Sequence, residues 1–327
     1  VEFKKYTKIE NTYQQKNLEK IQYQFGDIMC IVQEKIHGMN FAIYYNGSEL
    51  KCASRNQFLD TNIKNHQEVV AKFETEIKKL YKTLQTLNSN TVEEITIIGE
   101  LFGGDYKHPD VPRKNVSRIQ KGVYYSNDVE FLAFDLKVNG NMVSPFNSLG
   151  LFEQHDIPYI PILAIKPLSE CLEYPNDFES EIYKIYNLPK IENNICEGIV
   201  IKPMDVVRFG NGQQIMLKNK NDNFAEVTKV KKTPRKPDSP LSELAHKMLE
   251  ELQSLATENR FDNVVSKLSK ELEMKDFGMM MGLFSKDCME EFSGDLKLLE
   301  KPEEKKIKGR FQNIVVGIVK KKMKELC

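Results

Sequence analysis

The sequence predicts an α+β protein, with a mostly antiparallel sheet domain over residues 1–228 and a small all-α domain over 241–327. Three observations carry this expectation. Between about Ile28 and Arg55 apolar and polar residues roughly alternate on either side of Asn46-Gly47, a strong short-range hairpin signal. From His66 to Leu87 apolar residues recur at spacings of three and four, the stripe of an amphipathic helix laid on a sheet. At residues 229–240, "KVKKTPRKPDSP", the texture turns basic and proline-rich and loses its apolar periodicity, which marks a linker.

Taken in order, "NFAIYY" and "ELKCASR" are the two arms of the hairpin. The stripe comprises Val69, Val70, Phe73, Ile77, Leu80, Leu84 and Leu87 and predicts one helix. Two strand-like runs follow, "EITIIGELFGG" and "VEFLAFDLKVNGNMVS", the second with its own Asn139-Gly140 turn. "EGIVIKP" and "QQIMLKNKN" are the last strands before the linker. Beyond it, Ser239 as N-cap and Pro240 at the first helical position open the helical part. Its helices are "SELAHKMLEELQSL", "FDNVVSKLSKEL", "FGMMMGLFSKDCMEEF" and "RFQNIVVGIVKKKMKEL".

Composition narrows the function classes. No apolar run is long enough to cross a bilayer, and 47 basic against 47 acidic side chains argue against coating nucleic acid by bulk charge. Six cysteines without a C-x-x-C pair read as reduced thiols in an intracellular protein, cytoplasmic or organellar. The start at Val1 leaves room for a removed leader. The histidines are too dispersed for a zinc site, and His66, His108, His155 and Cys196 read as structural or surface residues.

The chemistry gathers around "EKIHGMN", residues 34–40, where Lys35 stands among hydrogen-bonding neighbours. Lys218 and Lys220 occupy alternate positions of a predicted strand and so share a face. Glu100, Phe134 and Glu197 also fall on predicted strands. Carboxylates, an aromatic face and cations together are the inventory for holding a nucleoside triphosphate with a metal ion. Each has a plainer reading when taken alone: Lys35 as a surface charge, Phe134 as core packing, His37 as a turn or capping residue.

The order of motifs decides between these readings. "EKIHGMNF", "GELFGG", "FLAFD", "EGIVIKP" and "IMLKNKN" resemble, in sequence, motifs I, IIIa, III, IV and V of the covalent nucleotidyltransferases, the superfamily of ATP-dependent DNA and RNA ligases and mRNA capping enzymes. His37, Asn40, "RIQKGVYYSND" and "DFGMMMGL" make the chain similar to the RNA ligase 2 family, which holds the phage enzyme sealing nicks in duplex RNA and the mitochondrial RNA-editing ligases. The resemblance implies a DNA-ligase-type, ATP-grasp-like nucleotidyltransferase domain. It also implies that Lys35 attacks the α-phosphate of ATP to form lysyl-AMP. A free lysine with a pKa of about 10.4 is protonated at neutral pH, so Lys218, Lys220 and a bound cation are expected to disfavour the ammonium form by repulsion.

By the same resemblance Glu34 meets the adenine edge and Phe134 stacks on the base. Ile36, Asn40, Arg55, Glu100, Lys202, Lys218 and Lys220 complete the nucleotide-binding set, and His37 acts at the phosphate. Glu197 and Glu100 are the expected carboxylates for Mg²⁺ or Mn²⁺, held through water. Met39 departs from the small or hydroxyl-bearing residue common in the family, and its side chain is expected to point away from the nucleotide. Basic residues at Lys229, Lys231, Lys232, Arg235 and Lys236, and at Lys305, Lys306, Lys308, Arg310, Lys320, Lys321, Lys322 and Lys324, are solvated faces or phosphate contacts. The expected function is an ATP-dependent RNA ligase joining a 3′-OH to a 5′-phosphate, at nicks in duplex or bridged RNA. A DNA ligase or capping-type enzyme is the alternative, and a catalytically silent RNA-binding subunit is the reading from a different class.

Overall fold

Every strand of the nucleotide-binding inventory has one face that packs on helices and one that looks across at a second sheet. The computed structural model describes residues 2–87, 91–225, 241–268 and 272–326, and divides the chain into two units, Val1–Asn223 and Phe224–Cys327. This division lies a few residues before the 228 boundary expected from composition; the linker residues 229–240 fall outside the described residues, as do Ser239 and Pro240.

In the first unit the chain runs β1 (Glu10–Asn11), α1 (Gln15–Phe25), β2 (Met29–Glu34), β3 (Met39–Tyr45), β4 (Leu50–Ser54), α2 (His66–Ala71), α3 (Glu74–Leu87), β5 (Ile95–Gly103), β6 (Val129–Val138), β7 (Asn141–Met142), α4 (Pro145–Gln154), β8 (Ile162–Pro167), α5 (Leu168–Leu172), β9 (Gly198–Pro203) and β10 (Leu217–Lys220). Two five-stranded sheets result, ordered β1-β10-β9-β2-β8 and β4-β3-β5-β6-β7. All of these strand pairs are antiparallel except β1 with β10, where Glu10 runs beside Leu217, in keeping with a mostly antiparallel domain.

The predicted hairpin forms, with Tyr45 opposite Leu50. Its loop is held by Asn46, whose Oδ1 accepts from the Ser48 and Glu49 N–H groups at 3.1 and 2.7 Å, while Gly47 takes the positive φ of 91°. The expected single helix over 66–87 is two, α2 and α3, separated at Lys72 and Phe73. The stripe is continuous as far as Leu84, because Val69, Val70, Phe73, Ile77, Leu80 and Leu84 all enter one core with Phe41, Ile43, Ile97 and Phe131 of the β4-to-β7 sheet, whereas Leu87, expected to end it, is exposed at the last residue of α3. A second core joins α1 and α5 to Cys30, Val32, Ile199, Ile201 and Leu217 of the other sheet. Alternation then turns Asn40, Ala42 and Tyr44 on β3 and Val200, Lys202, Lys218 and Lys220 on β9 and β10 to the opposite faces. Between the sheets lies a smaller cluster of Tyr6, Ala42, Tyr44, Ala53, Ile98 and Met216.

The second unit is helical: α6 (Glu243–Leu255), α7 (Glu258–Ser266), α8 (Phe277–Glu291) and α9 (Lys301–Leu326) enclose their own core. α6 starts with Ser242, not Ser239, as N-cap, its Oγ accepting from the Ala245 N–H at 3.3 Å. α7 lies earlier than "FDNVVSKLSKEL" suggested, because Thr257 caps it and accepts from Arg260 N–H. α9 begins nine residues before "RFQNIVV", since Pro302 sits in its first turn where a missing N–H costs nothing. Ile307, Phe311, Val315, Val319 and Met323 form its buried stripe. Among the described residues no helix is long and apolar enough to cross a membrane, and Cys30, Cys52, Cys171, Cys196 and Cys288 are buried free thiols.

Candidate active site

Lys35 lies in the turn between β2 and β3, one residue past the last β2–β9 pair, so its main chain is still tied to β9. Its N–H donates to the Gly198 carbonyl at 2.8 Å. Gly38, which closes "KIHG", is required by close approach: a Cβ there would collide with the Leu101 carbonyl oxygen of β5. Gly198, at a φ of 142°, likewise leaves no room for a side chain beside the Asn219 carbonyl of β10. The motif glycines thus bring Lys35, Glu197 and Lys220 to one place.

Glu197 is the hub. It stands one residue before β9, not on the strand as predicted, and its main-chain carbonyl accepts from Asn221 N–H at 3.1 Å. Its carboxylate is 1% exposed and receives three cationic or cation-forming groups: Lys35 Nζ at 2.9 Å and His37 Nδ1 at 3.2 Å on Oε2, and Lys220 Nζ at 2.7 Å on Oε1. Burial alone would raise its pKa, but the charges of Lys220, Lys35 and His37 prevail and hold it well below the usual carboxylate range. The expected arrangement, in which Lys220 acts on Lys35 by direct repulsion, is therefore modified. A buried anion stands between the two ammonium groups.

Glu100, on β5 directly across from Asn40 of β3, faces the same space. Its pKa is raised to about 8, by burial first and by Glu197, against the opposing charges of Lys35, Arg55 and Lys220. Arg55 follows β4 and acts electrostatically on both Glu100 and Tyr6. Glu34 is buried and its pKa is likewise pushed up to about 8 by burial, although a Ser180 hydrogen bond opposes the shift. Its Oε1 makes no hydrogen bond in the described structure. Ile36 is buried, and Met39 points into the helix-side core, away from the face that carries Asn40.

Lys202 and Phe134 belong to a second group, with Asp135 and Tyr6. Lys202 Nζ donates to the Phe134 carbonyl at 2.8 Å and pairs with Asp135 Oδ1 at 3.0 Å, with the Phe134 ring 5.0 Å away. Tyr6 donates to Asp135 Oδ2 and packs its ring 5.6 Å from that of Phe134. Lys202 is thus committed to a carboxylate, and it holds the strand bearing Phe134 against β9. Sequence reading missed Asp135 and Tyr6. Asp135 was visible as the last residue of "FLAFD", whereas Tyr6 lies in an N-terminal segment with no pattern. Lys218 projects on the same face as Lys220 by strand alternation.

Among the described residues no group of three or more His, Cys, Asp or Glu is arranged to hold a metal directly. His66 is a structural residue, its Nδ1 2.9 Å from the Ile63 carbonyl and its ring against Phe41. On α9, Lys308, Lys321 and Lys322 pair with Glu304, Glu258 and Asp262. The basic residues Lys229, Lys231, Lys232, Arg235 and Lys236 lie outside the described residues.

The profile of the RNA ligase family matches residues 29–220, and that of the T4 RNA ligase 2 C-terminal domain matches 239–323. The mitochondrial RNA-editing ligase 2 of Trypanosoma brucei brucei is 25% identical, over 90% of this chain and 83% of that protein. RNA-editing ligase 1 from the same organism is 25% identical over 79% of this chain and 69% of its own. Naegleria gruberi RNA ligase with PPi aligns with a TM-score of 0.46 at 18% identity, over 68% of this chain, which spans only 57% of that one.

Proposed function

The chain belongs to the RNA ligase family, and we propose that it is an ATP-dependent RNA ligase that joins a 3′-OH to a 5′-phosphate at nicks in duplex or bridged RNA. The observation that supports this most is the buried Glu197 carboxylate shared by Lys35, His37 and Lys220. In the first step the Lys35 amine attacks the α-phosphorus of ATP, a P–N bond forms, and pyrophosphate leaves. In the second, the RNA 5′-phosphate attacks the same phosphorus, so AMP passes to RNA and the amine is released. In the third, the RNA 3′-OH attacks the adenylated 5′-phosphate, the phosphodiester forms and AMP leaves.

Glu197 fixes the Lys35 side chain at the mouth of the cluster, where a nucleophile must be oriented before it attacks. Lys220 and Lys218 supply positive charge for the phosphates, and His37 stands beside the reacting centre. Glu34 and Phe134 read the edge and face of adenine. Glu197 and Glu100 offer the hard oxygen donors that Mg²⁺ or Mn²⁺ takes through its water shell, and such an ion would offset triphosphate charge. Lys202 reaches the nucleotide only indirectly, through the Phe134 main chain and ring. The helical residues 241–327 would engage RNA, with Lys305, Lys306, Arg310, Lys320 and Lys324 as candidate phosphate contacts.

Labelled ATP tests the reading. The parent chain should form an acid-labile, alkali-stable AMP adduct and seal 5′-phosphorylated RNA. Lys35→Ala should do neither, yet still close RNA that already carries a 5′-adenylate. An undiminished adduct in Lys35→Ala would overturn the assignment, and preferential labelling by GTP would favour a capping-type enzyme.

A further inference from the structure

The "RIQKGVYYSND" segment contains a residue that the proposed chemistry does not use. Tyr125 is fully buried, and its hydroxyl accepts the main-chain N–H of His37 at 3.0 Å. Its ring stands edge-on to Phe102 with centroids 5.2 Å apart, which fixes where that oxygen sits. The neighbouring Tyr124 is gripped by a side chain from elsewhere in the chain: its N–H donates to Asn194 Oδ1 at 2.9 Å, and its carbonyl accepts from Asn194 Nδ2 at 2.7 Å. Asn194 is 3% exposed, and its own carbonyl accepts from Ser180 N–H at 2.9 Å. Three residues further on comes Glu197, whose carboxylate meets the His37 ring at 3.2 Å.

These contacts close a loop: His37 main chain to Tyr125, Tyr124 to Asn194, Asn194 along the chain to Glu197, and Glu197 back to the His37 ring. We propose that Tyr125, locked by Asn194, is a positioning residue that sets the separation of His37 and Glu197 and thereby aims Lys35. This rests on the RNA ligase reading above. The physical ground is that the link between Lys35 and Gly38 is a turn, and a turn keeps a reacting amine in place only if its backbone is tied down. Lys35 has its tie in Gly198; His37 has its tie in Tyr125. Burial raises the tyrosine pKa well above its usual value, so the group remains a neutral hydroxyl across the working pH range.

Tyr125→Phe removes one oxygen and leaves the ring. Lysyl-AMP formation at saturating ATP should slow by about tenfold or more, with the half-saturating ATP concentration unchanged within about twofold. Closure of RNA already carrying a 5′-adenylate, which bypasses the lysine, should change by less than about twofold. In a His37→Ala background, which keeps the main-chain N–H that Tyr125 receives, the same substitution should still slow lysyl-AMP formation, because the tie acts on the backbone. Asn194→Asp, which opposes an acceptor to the Tyr124 carbonyl, should reproduce the step-selective loss. Tyr106→Phe is the control for deleting a buried hydroxyl, since Tyr106 donates to the Pro189 carbonyl outside the loop; it should leave adenylylation unchanged. An unchanged rate in Tyr125→Phe, or an equal fall in all steps, would overturn the inference. Failure of the parent chain to take label from ATP would overturn the ligase reading instead.

Discussion

Replacing Glu197 by Gln keeps the shape of the hub and removes its charge. Two ammonium groups, Lys35 and Lys220, then face a neutral amide at 2.9 and 2.7 Å with no anion between them. At an effective dielectric of about 20, each lost attraction amounts to roughly 6 kcal/mol before solvation is counted. Desolvation of a carboxylate that is only 1% exposed opposes most of this, so the usual net cost of unpairing a buried ion, about 3–5 kcal/mol, is the better guide. Lys35 is 19% exposed and can turn to solvent, whereas Lys220 at 6% cannot, which places the expected loss near 3 kcal/mol, at the lower end of that range. Urea unfolding at neutral pH measures it. Lys220→Met in the same chain should recover roughly 2 kcal/mol, because the stranded charge is then gone. Sign and pH agree: the depressed pKa of Glu197 gives stability that is full above about 4.5 and fades as pH falls through the folded value, and the Gln variant should lack that fading. A Glu197→Gln chain within about 0.5 kcal/mol of the parent, with strictly additive effects of Lys220→Met, would refute the shared-anion account.

Asp135→Ala should cost about 3–5 kcal/mol in the same assay, because it leaves Lys202, 2% exposed, without its carboxylate; a loss under about 1 kcal/mol would contradict the buried pair. Glu34→Gln should flatten the pH dependence of stability: a folded pKa raised to about 8 from 4.5 means stability declines as pH rises across that window, by one proton's slope that the amide cannot supply, and an unaltered slope would exclude Glu34 as its source. A fragment of residues 1–228 should still form lysyl-AMP once circular dichroism confirms folding, while its sealing of 5′-phosphorylated RNA falls much further and its RNA binding loses salt dependence. Equal sealing by fragment and full chain would remove the helical unit from RNA placement.

Strand alternation and helical stripes were legible because each reports a single burial decision repeated along the chain. That is why β3, β4, β5, β6 and the stripe of α2 and α3 stand where the pattern places them. The break at Lys72 and Phe73 was not legible, since Phe73 keeps the helical spacing and remains in the core on both sides of the turn. α7 and α9 were misplaced for the opposite reason: their ends are set by a cap and by a proline tolerated in a first turn, and local chemistry of that kind is easily read as an interruption. At the site, the motifs named Lys35, His37, Glu197 and Lys220, but nothing in one dimension says that one carboxylate serves both lysines and the histidine ring. Tyr6 and Asn194 illustrate the limit. Each contributes a single side chain from a segment without periodicity, and only folding reveals the partner.

The charge balance of the site follows from the two carboxylates taking opposite protonation preferences. Glu197, held by Lys220, Lys35 and His37, is an anion at neutral pH, while Glu100, which feels the Glu197 charge, has its pKa raised to about 8. A second full negative charge there would repel both Glu197 and an incoming triphosphate. With Glu100 carrying less negative charge, the field of Lys35, Arg55 and Lys220 around it is opposed chiefly by Glu197, which favours phosphates. Burial is what favours the proton on Glu100; the Glu197 anion adds to it, while Lys35, Arg55 and Lys220 oppose it. One buried glutamate that gathers the lysines, and a second whose ionisation burial disfavours, limit the negative charge that a triphosphate would meet there.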